Sequence, residues 1–571
     1  MRTLSIACFL LTICITTKTQ AQQHNDYDIN KFITTLKNAN DYTTAGSWKE
    51  AAMAWGEIVT INPLQGEYWD NLGEACMHEH HYEYAIVAYE QSYRLGYDLP
   101  HMALYHIAGC YAQSGQPEKA LDYLERAMKE GSYLREYAQH DTLFTSLQQQ
   151  PRFKKVLDIC PVNKLSRREG WLSDIRLFAK EYKRLSYAPF QKMPEKDFDE
   201  AIAVINDHIN HLTDAEITIE LAKILGKSAD GHTRFFAFFN MMKIPPQPGF
   251  DQYLPLKFFL FKEGLYVIQA DKKYEHLVGA QVLNFDHTSV SKVLEAVYPL
   301  IATDRQNSMW LKRMAPNYMR VAGLLKGLHV IDSIGEITLT IKDINGILQT
   351  VKVQSQPDDF LAFHHTPAGW TNVNAYLKDK TPLYLQHIEK PYWFQLIPEN
   401  KTVYFQFNRV RQDTAEAFKD FITRLFKFID DNDVDKLVID LRWNGGGNTF
   451  MLKPLIQGLI KSKINQKGKL FGIIGRGTFS AAQNLTTQLE RNTEITFAGE
   501  PSGSNPNFIG EDHPFTLPYS KLIVNFSTLY WQSSHPLDNR TWTAPDIYIE
   551  PTFADFITGQ DRALQMVLKI K

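Results

Sequence analysis

The chain has 571 residues, 44% hydrophobic and 22% charged, with 61 Lys and Arg against 64 Asp and Glu for a formal net charge of -3. That length exceeds what one hydrophobic core organises and sets an expectation of about three to four folding units. The near balance of charge, with no long basic run, excludes nucleic acid and an acidic membrane surface as expected partners and leaves a peptide, a protein or a small molecule.

In chain order, residues 1–21 come first. Arg2 precedes an apolar run from Leu4 to Ile15, and small residues follow at Thr19 and Ala21. This is the pattern of a secretory signal peptide cleaved after Ala21, so the mature chain is expected in the periplasm, outside the cell or on its surface. The run is too short to span a bilayer, and no other segment has the roughly 18 uninterrupted apolar residues of a membrane helix. Of five cysteines, Cys8 and Cys14 leave with this leader, while Cys76, Cys110 and Cys160 remain. Three scattered thiols make at most one disulfide, and the region beyond residue 160 has none to serve as nucleophile or zinc ligand.

Residues 28–160 read as helical repeats. Ala51, Ala85 and Ala120, 34 and 35 residues apart, each open a pair of apolar turns, with small residues at Gly73 and Ala108 and Pro63 ending a unit. This period resembles the tetratricopeptide repeat, an α-helical solenoid that docks protein partners and does no chemistry itself. Residues 140–157 are expected to close the array as a terminal helix pair. The cluster "HEHH" at 78–81 lacks the spacing that puts two imidazoles on one helix face, and is read as a loop between helices, with no metal site.

Residues 165–235 form a helical lead-in. Apolar residues recur at three and four through 168–185, 195–212 and 214–227, before the chain reaches "ADGHTRF". From 250 to 356 the period shortens to two, giving strands in "LPLKFFLFKEGLYVIQA", "GAQVLNFD", "EITLTIKD" and "LQTVKVQ", with one helical stretch between. Residues 388–571 alternate strand and helix, the arrangement of a sheet with crossover helices and active loops at the strand C-terminal ends. The predicted fold class is multidomain, α plus α/β.

Two of those strand ends carry unusual sequences. Ser480 ends the strand "KLFGIIG" and its turn, at the junction with helix 481–491, and stands at capping-box spacing from Gln483. The second is "DLRWNGGGN", 440–448. Three consecutive glycines are costly in entropy and make sense where backbone must approach something closely or aim N–H groups at a negative charge. Placed beside Ser480, this loop would offer the amides of Gly445 or Gly446, with that of Ala481, as an oxyanion hole. A serine attacks only when a neighbour takes its proton. His232, following an Asp-Gly turn between helix and strand, is the histidine that stands out.

Together and in this order, "ADGHTRF", "LVIDLRWNGGGN", "GTFSAAQN", "GEPSGSNPNFIGE" and "APDIYIEPTFADFITGQDRAL" resemble the tail-specific or carboxyl-terminal-processing serine peptidases, peptidase family S41, over roughly residues 165–571. The resemblance implies a crotonase-like core with Ser480 as nucleophile, no cofactor, and a peptide or protein substrate. It also implies a base. The processing branch takes a lysine after "GEP", where Asn505 stands here and the next lysine is Lys521. The branch similar to the tricorn core protease uses a histidine in a Gly-His-Thr motif, matched by His232, and a late carboxylate, matched by Asp538. Glu511 is the rival for that carboxylate, and Glu500 is expected to be structural. Many of these peptidases carry a PDZ-like module where 250–356 lies, but the carboxylate-binding Gly-Leu-Gly-Phe loop has no counterpart. The expected activity is peptide hydrolysis through an acyl-enzyme. The alternative is an inactive peptide-binding scaffold that uses its repeats for protein interaction.

Overall fold

The computed structural model describes residues 29–97, 100–130, 134–157, 165–238, 247–357, 366–377 and 381–570. The expected leader and Cys160 lie outside the described residues. Two compact units are present, residues 1–164 and 165–571.

In the first unit, helices Ile29–Thr44, Trp48–Ile61, Gly66–His78, Tyr82–Arg94, Pro100–Gln113 and Pro117–Glu130 follow one another through short turns. Ala51, Ala85 and Ala120 are fully buried. A Cβ on Gly73 would lie 2.8 Å from the Tyr89 ring, so a small residue is required where those helices touch. The "HEHH" segment is occupied with packing: His78 stacks on Trp48 at 3.9 Å, and His80 Nδ1 shares a hydrogen bond with the Tyr82 hydroxyl at 2.8 Å. Burial pushes the Cys76 and Cys110 thiols up to about 12, so both stay protonated. Residues 140–157 differ from expectation. A 3-10 turn, Thr142–Phe144, and one short helix, Pro151–Val156, take the place of a helix pair, because Asp141 accepts from the Leu143 amide and Pro151 opens the next turn.

The second unit is helical plus sheet. Helices Arg167–Leu185 and Asp214–Leu225 begin in capping boxes, Ser166 with Glu169 and Thr213 with Glu216. The strands expected between 250 and 356 form an antiparallel sheet with Trp370–Asn372 at one edge. These regions are not separately packed. One core runs from Trp171 through Val267, Leu324 and Ile341 to Phe526, uniting the lead-in, the middle sheet and part of the C-terminal region.

A six-stranded sheet carries the C-terminal region, in the order Tyr392–Ile397, Thr402–Phe407, Lys436–Asp440, Leu470–Ile474, Thr496–Gly499, Ile547–Tyr548. The first pair is antiparallel and the rest parallel. Helices Phe418–Asp431, Lys453–Lys461 and Ala481–Asn492 bury their apolar faces against it in a second core. The strand Ile523–Gln532, expected within the alternating region, lies instead in a three-stranded antiparallel sheet between Asn507–Thr516 and Arg234–Phe235. That pairing brings the histidine loop, hundreds of residues upstream, to the C-terminal region. No helix among the described residues is long and apolar enough to cross a membrane.

Candidate active site

Ser480 sits where the strand Leu470–Ile474 has ended and the helix Ala481–Asn492 begins. Its backbone holds φ 54 and ψ -125, a sparsely populated region that costs a non-glycine residue on the order of 1–3 kcal/mol. The expected capping box does not form. Ser480 makes no side-chain cap, and Gln483 instead donates to Thr487 Oγ1 at 3.0 Å and Thr543 Oγ1 at 2.9 Å. The Asn484 amide still bonds the Ser480 carbonyl at 3.0 Å, so the residue caps with its backbone, and its hydroxyl has no hydrogen-bond partner among the described residues.

The glycine loop lies directly on this turn. Thr478 Oγ1 donates to the Leu441 carbonyl at 2.9 Å, and the Phe479 amide donates to the Asn444 carbonyl at 3.0 Å. A Cβ on Gly446, where φ is 105, would fall 2.7 Å from Ser480 Cβ and 2.9 Å from Ala481 N. Glycine is required here for close approach. The Gly446 amide, however, donates to Asn444 Oδ1 at 3.0 Å, which takes it out of the expected set of oxyanion donors. Ala481 carries the first amide of a 12-residue helix, without an intrahelical acceptor and at the positive end of the helix. Gly445 and Gly447 line the cavity that Ser480 faces.

His232 lines the same cavity, of about 520 Å³, although it precedes Ser480 by 248 residues. No hydrogen bond joins the two side chains in this structure. The imidazole is 6% exposed, held between Phe479 at 4.5 Å and Phe508 at 5.6 Å, with Gly510 leaving room for its edge. Its loop is pinned by Asp230, whose Oδ1 accepts from the His232 amide at 3.0 Å and the Thr233 amide at 2.6 Å. The His232 carbonyl accepts from Arg234 at 2.7 Å and Asn525 at 2.9 Å. Burial holds the imidazole below its ordinary value; the Asp512 carboxylate opposes that most, and Arg234 reinforces it. His232 is therefore neutral at neutral pH, as a base must be; its buried Nδ1 makes no well-aligned hydrogen bond among the described residues, though the ring interacts with the Ile509 backbone.

Asp538 is placed elsewhere. Its oxygens accept from Ser534 Oγ at 2.7 Å and from Arg540, which also binds Glu490, and these bonds hold its carboxyl well below the usual range. It does not line the cavity and gives His232 no bond. Glu511 does line it, at φ 70 in the middle of a strand. Beside it, Asp512 pairs with Arg234 at 3.0 Å and accepts from Asn525 at 2.8 Å. Glu500 forms a buried pair with Arg476. Asn505 is buried, and among the described residues no lysine lines the cavity.

Sequence reasoning missed three contributors. Asp230, two residues before His232, carries a visible signal, since an aspartate commonly bonds amides two residues on. Asp512 stood next to a residue already singled out. Trp310, stacked on Phe479 at 3.8 Å, comes from the middle region, and nothing local to it marks it as part of this site.

Comparison with protein-family models finds no match, and none of the curated proteins matches. Solved structures do. Mature CPAF complexed with lactacystin is 13% identical, with a TM-score of 0.51 over 70% of this chain and 98% of that one. A serine-to-alanine mutant of CPAF is 12% identical, with a TM-score of 0.50 over 71% of this chain and 97% of that one. The likeness shows a shared fold.

Proposed function

We propose that the protein is a serine peptidase of the S41 kind, secreted by its leader, in which Ser480 is the nucleophile and His232 the general base. One observation carries the reading: a strained serine, its hydroxyl without a hydrogen-bond partner among the described residues, and a buried, neutral histidine from a distant loop face one cavity. Ser480 Oγ attacks the peptide carbonyl carbon while its proton passes to His232 Nε2, the nitrogen not sealed against the strand. The carbonyl electrons move onto oxygen, where the Ala481 amide, with Gly445 or Gly447, would receive the charge. Collapse of the adduct breaks the C–N bond, and the amine leaves with the proton from His232. Water then repeats the sequence on the ester. Asp512, fixed by Arg234 and Asn525, steadies the imidazolium by its charge; this reading leaves Asp538 out of proton transfer. No metal or organic cofactor enters. The core is read as crotonase-like and the helical repeats as a tetratricopeptide array that docks a protein partner.

The test is a fluorophosphonate probe applied to the folded protein, to Ser480→Ala and to His232→Ala. Labelling is expected in the parent alone. A second reading, an inactive peptide-binding scaffold, is favoured by the lack, among the described residues, of a carboxylate hydrogen-bonded to the His232 ring. Absence of labelling in the folded parent would establish it over catalysis.

A further inference from the structure

The cavity shared by Ser480 and His232 has a charge that nothing in it cancels. Its walls include Trp310, Met314, Phe450, Phe479 and Trp531, and its charged groups are Arg234, Asp512 and Glu511. Arg234 and Asp512 pair with each other at 3.0 Å. His232 is neutral. Glu511 is left without a hydrogen bond or ion pair among the described residues. Glu511 is exposed, so its carboxylate is hydrated in the isolated protein and available to a cation that enters this aromatic-walled cavity.

We propose that Glu511 is a specificity-determining residue, which receives the Lys or Arg side chain of a peptide bound across Ser480. The inference rests on the reading of Ser480 as a nucleophile facing a peptide, and adds the substrate class. The geometry supports it in three ways. The cavity is apolar along its walls and anionic at Glu511, which matches a side chain with a hydrocarbon stem and a charged tip. Phe450, 82% exposed, and Trp531 stand 6.4 Å apart in a tilted pair, offering ring faces to such a stem and its cation. Partial burial, and then Asp512, raise the Glu511 carboxyl above its ordinary value, and the charge of a bound cation would oppose that rise.

The test measures binding and cleavage on one matched pair of peptides, with lysine or norleucine at the position next to the scissile bond that product mapping identifies in the parent. The Ser480→Ala protein, which cannot turn the peptides over, is expected to bind the lysine peptide about tenfold or more tightly than the norleucine peptide, and the parent to show a similar ratio in kcat/KM. Adding Glu511→Gln should bring the ratio towards one, and Glu511→Lys should reverse it for a glutamate peptide. Equal binding of the lysine and norleucine peptides by Ser480→Ala, or a ratio that survives Glu511→Gln, overturns the inference. So does a Glu511→Gln variant that lowers kcat equally for both peptides and moves the acid limb of the pH profile, because that places Glu511 in proton transfer. Should the parent fail to label with fluorophosphonate, and so cleave nothing to map, binding alone is read on a peptide carrying lysine or norleucine at each position in turn. A lysine preference that Glu511→Gln abolishes then leaves the recognition role of Glu511 standing while the peptidase reading falls, and no preference at any position overturns both.

Discussion

Asp304 accepts a hydrogen bond from the Gly231 amide at 2.7 Å, across 73 residues of chain, and the Ser504 hydroxyl bonds its other oxygen. One carboxyl thereby joins the loop of the proposed base to the loop that follows Glu500. It is 1% exposed, and burial raises its pKa to about 7.

Stability should therefore depend on Asp304. In the folded chain its proton is held up to about pH 7, whereas an unfolded aspartate releases it near ~3.9. Between those values the folded state binds more protons, so its contribution is complete below the lower value and is lost as pH rises through about 7, at ~1.4 kcal/mol per unit. Asp304→Asn, which mimics the protonated acid, is expected to remove that part of the slope. Thermal melts of both proteins from pH 4.5 to 8 check this; parallel curves would show that Asp304 does not titrate in that window.

The rate of peptide cleavage is expected to fall in acid with a midpoint below ~6.5, the ordinary histidine value, because burial depresses His232. Asp512 opposes that depression. Asp512→Asn should accordingly move the acid limb to still lower pH, as read from kcat/KM against pH. A limb governed by a much more basic group would count against His232.

Gly446→Ala places a methyl 2.7 Å from Ser480 Cβ at a φ of 105. The serine turn or the glycine loop must move, and fluorophosphonate labelling should slow by about a hundredfold or more. Circular dichroism of the same sample separates this local effect from unfolding, since the six-stranded sheet does not depend on that contact.

Asp538→Asn should weaken the bonds to Ser534 and Arg540 and cost about 1–2 kcal/mol in chemical denaturation. The acid limb of the pH profile should stay where it is. A shifted limb would return Asp538 to the proton path.

Much of the fold was legible because periodicity is local. The helices Arg167–Leu185 and Asp214–Leu225 and the strands Lys436–Asp440 and Leu470–Ile474 lie where three-four and two-residue spacings put them. The strand Ile523–Gln532 was legible as a strand but not in its sheet, because its partners, Arg234–Phe235 among them, are chosen by distant burial. Ser480 and His232, which line one cavity, stand out in sequence through their neighbours. The failure of the Ser480–Gln483 cap did not, since residue type fixes the spacing of a capping box while the backbone angle at Ser480 decides whether it closes. Asp538 matched a motif but was claimed by Arg540. That competition between partners depends on three-dimensional proximity to a cation, which spacing alone does not register.

The residues flanking Ser480 point into different interiors. Phe479 packs into the core that holds the lead-in and the middle sheet, and Ala481 into the core beneath the six-stranded sheet. Ser480 is the stitch on the seam. A slippage of a fraction of an ångström between the two interiors would separate the proposed nucleophile from the proposed base without melting either, so the rate of fluorophosphonate labelling would gauge how well the two halves of the unit are registered, more sensitively than a melting curve.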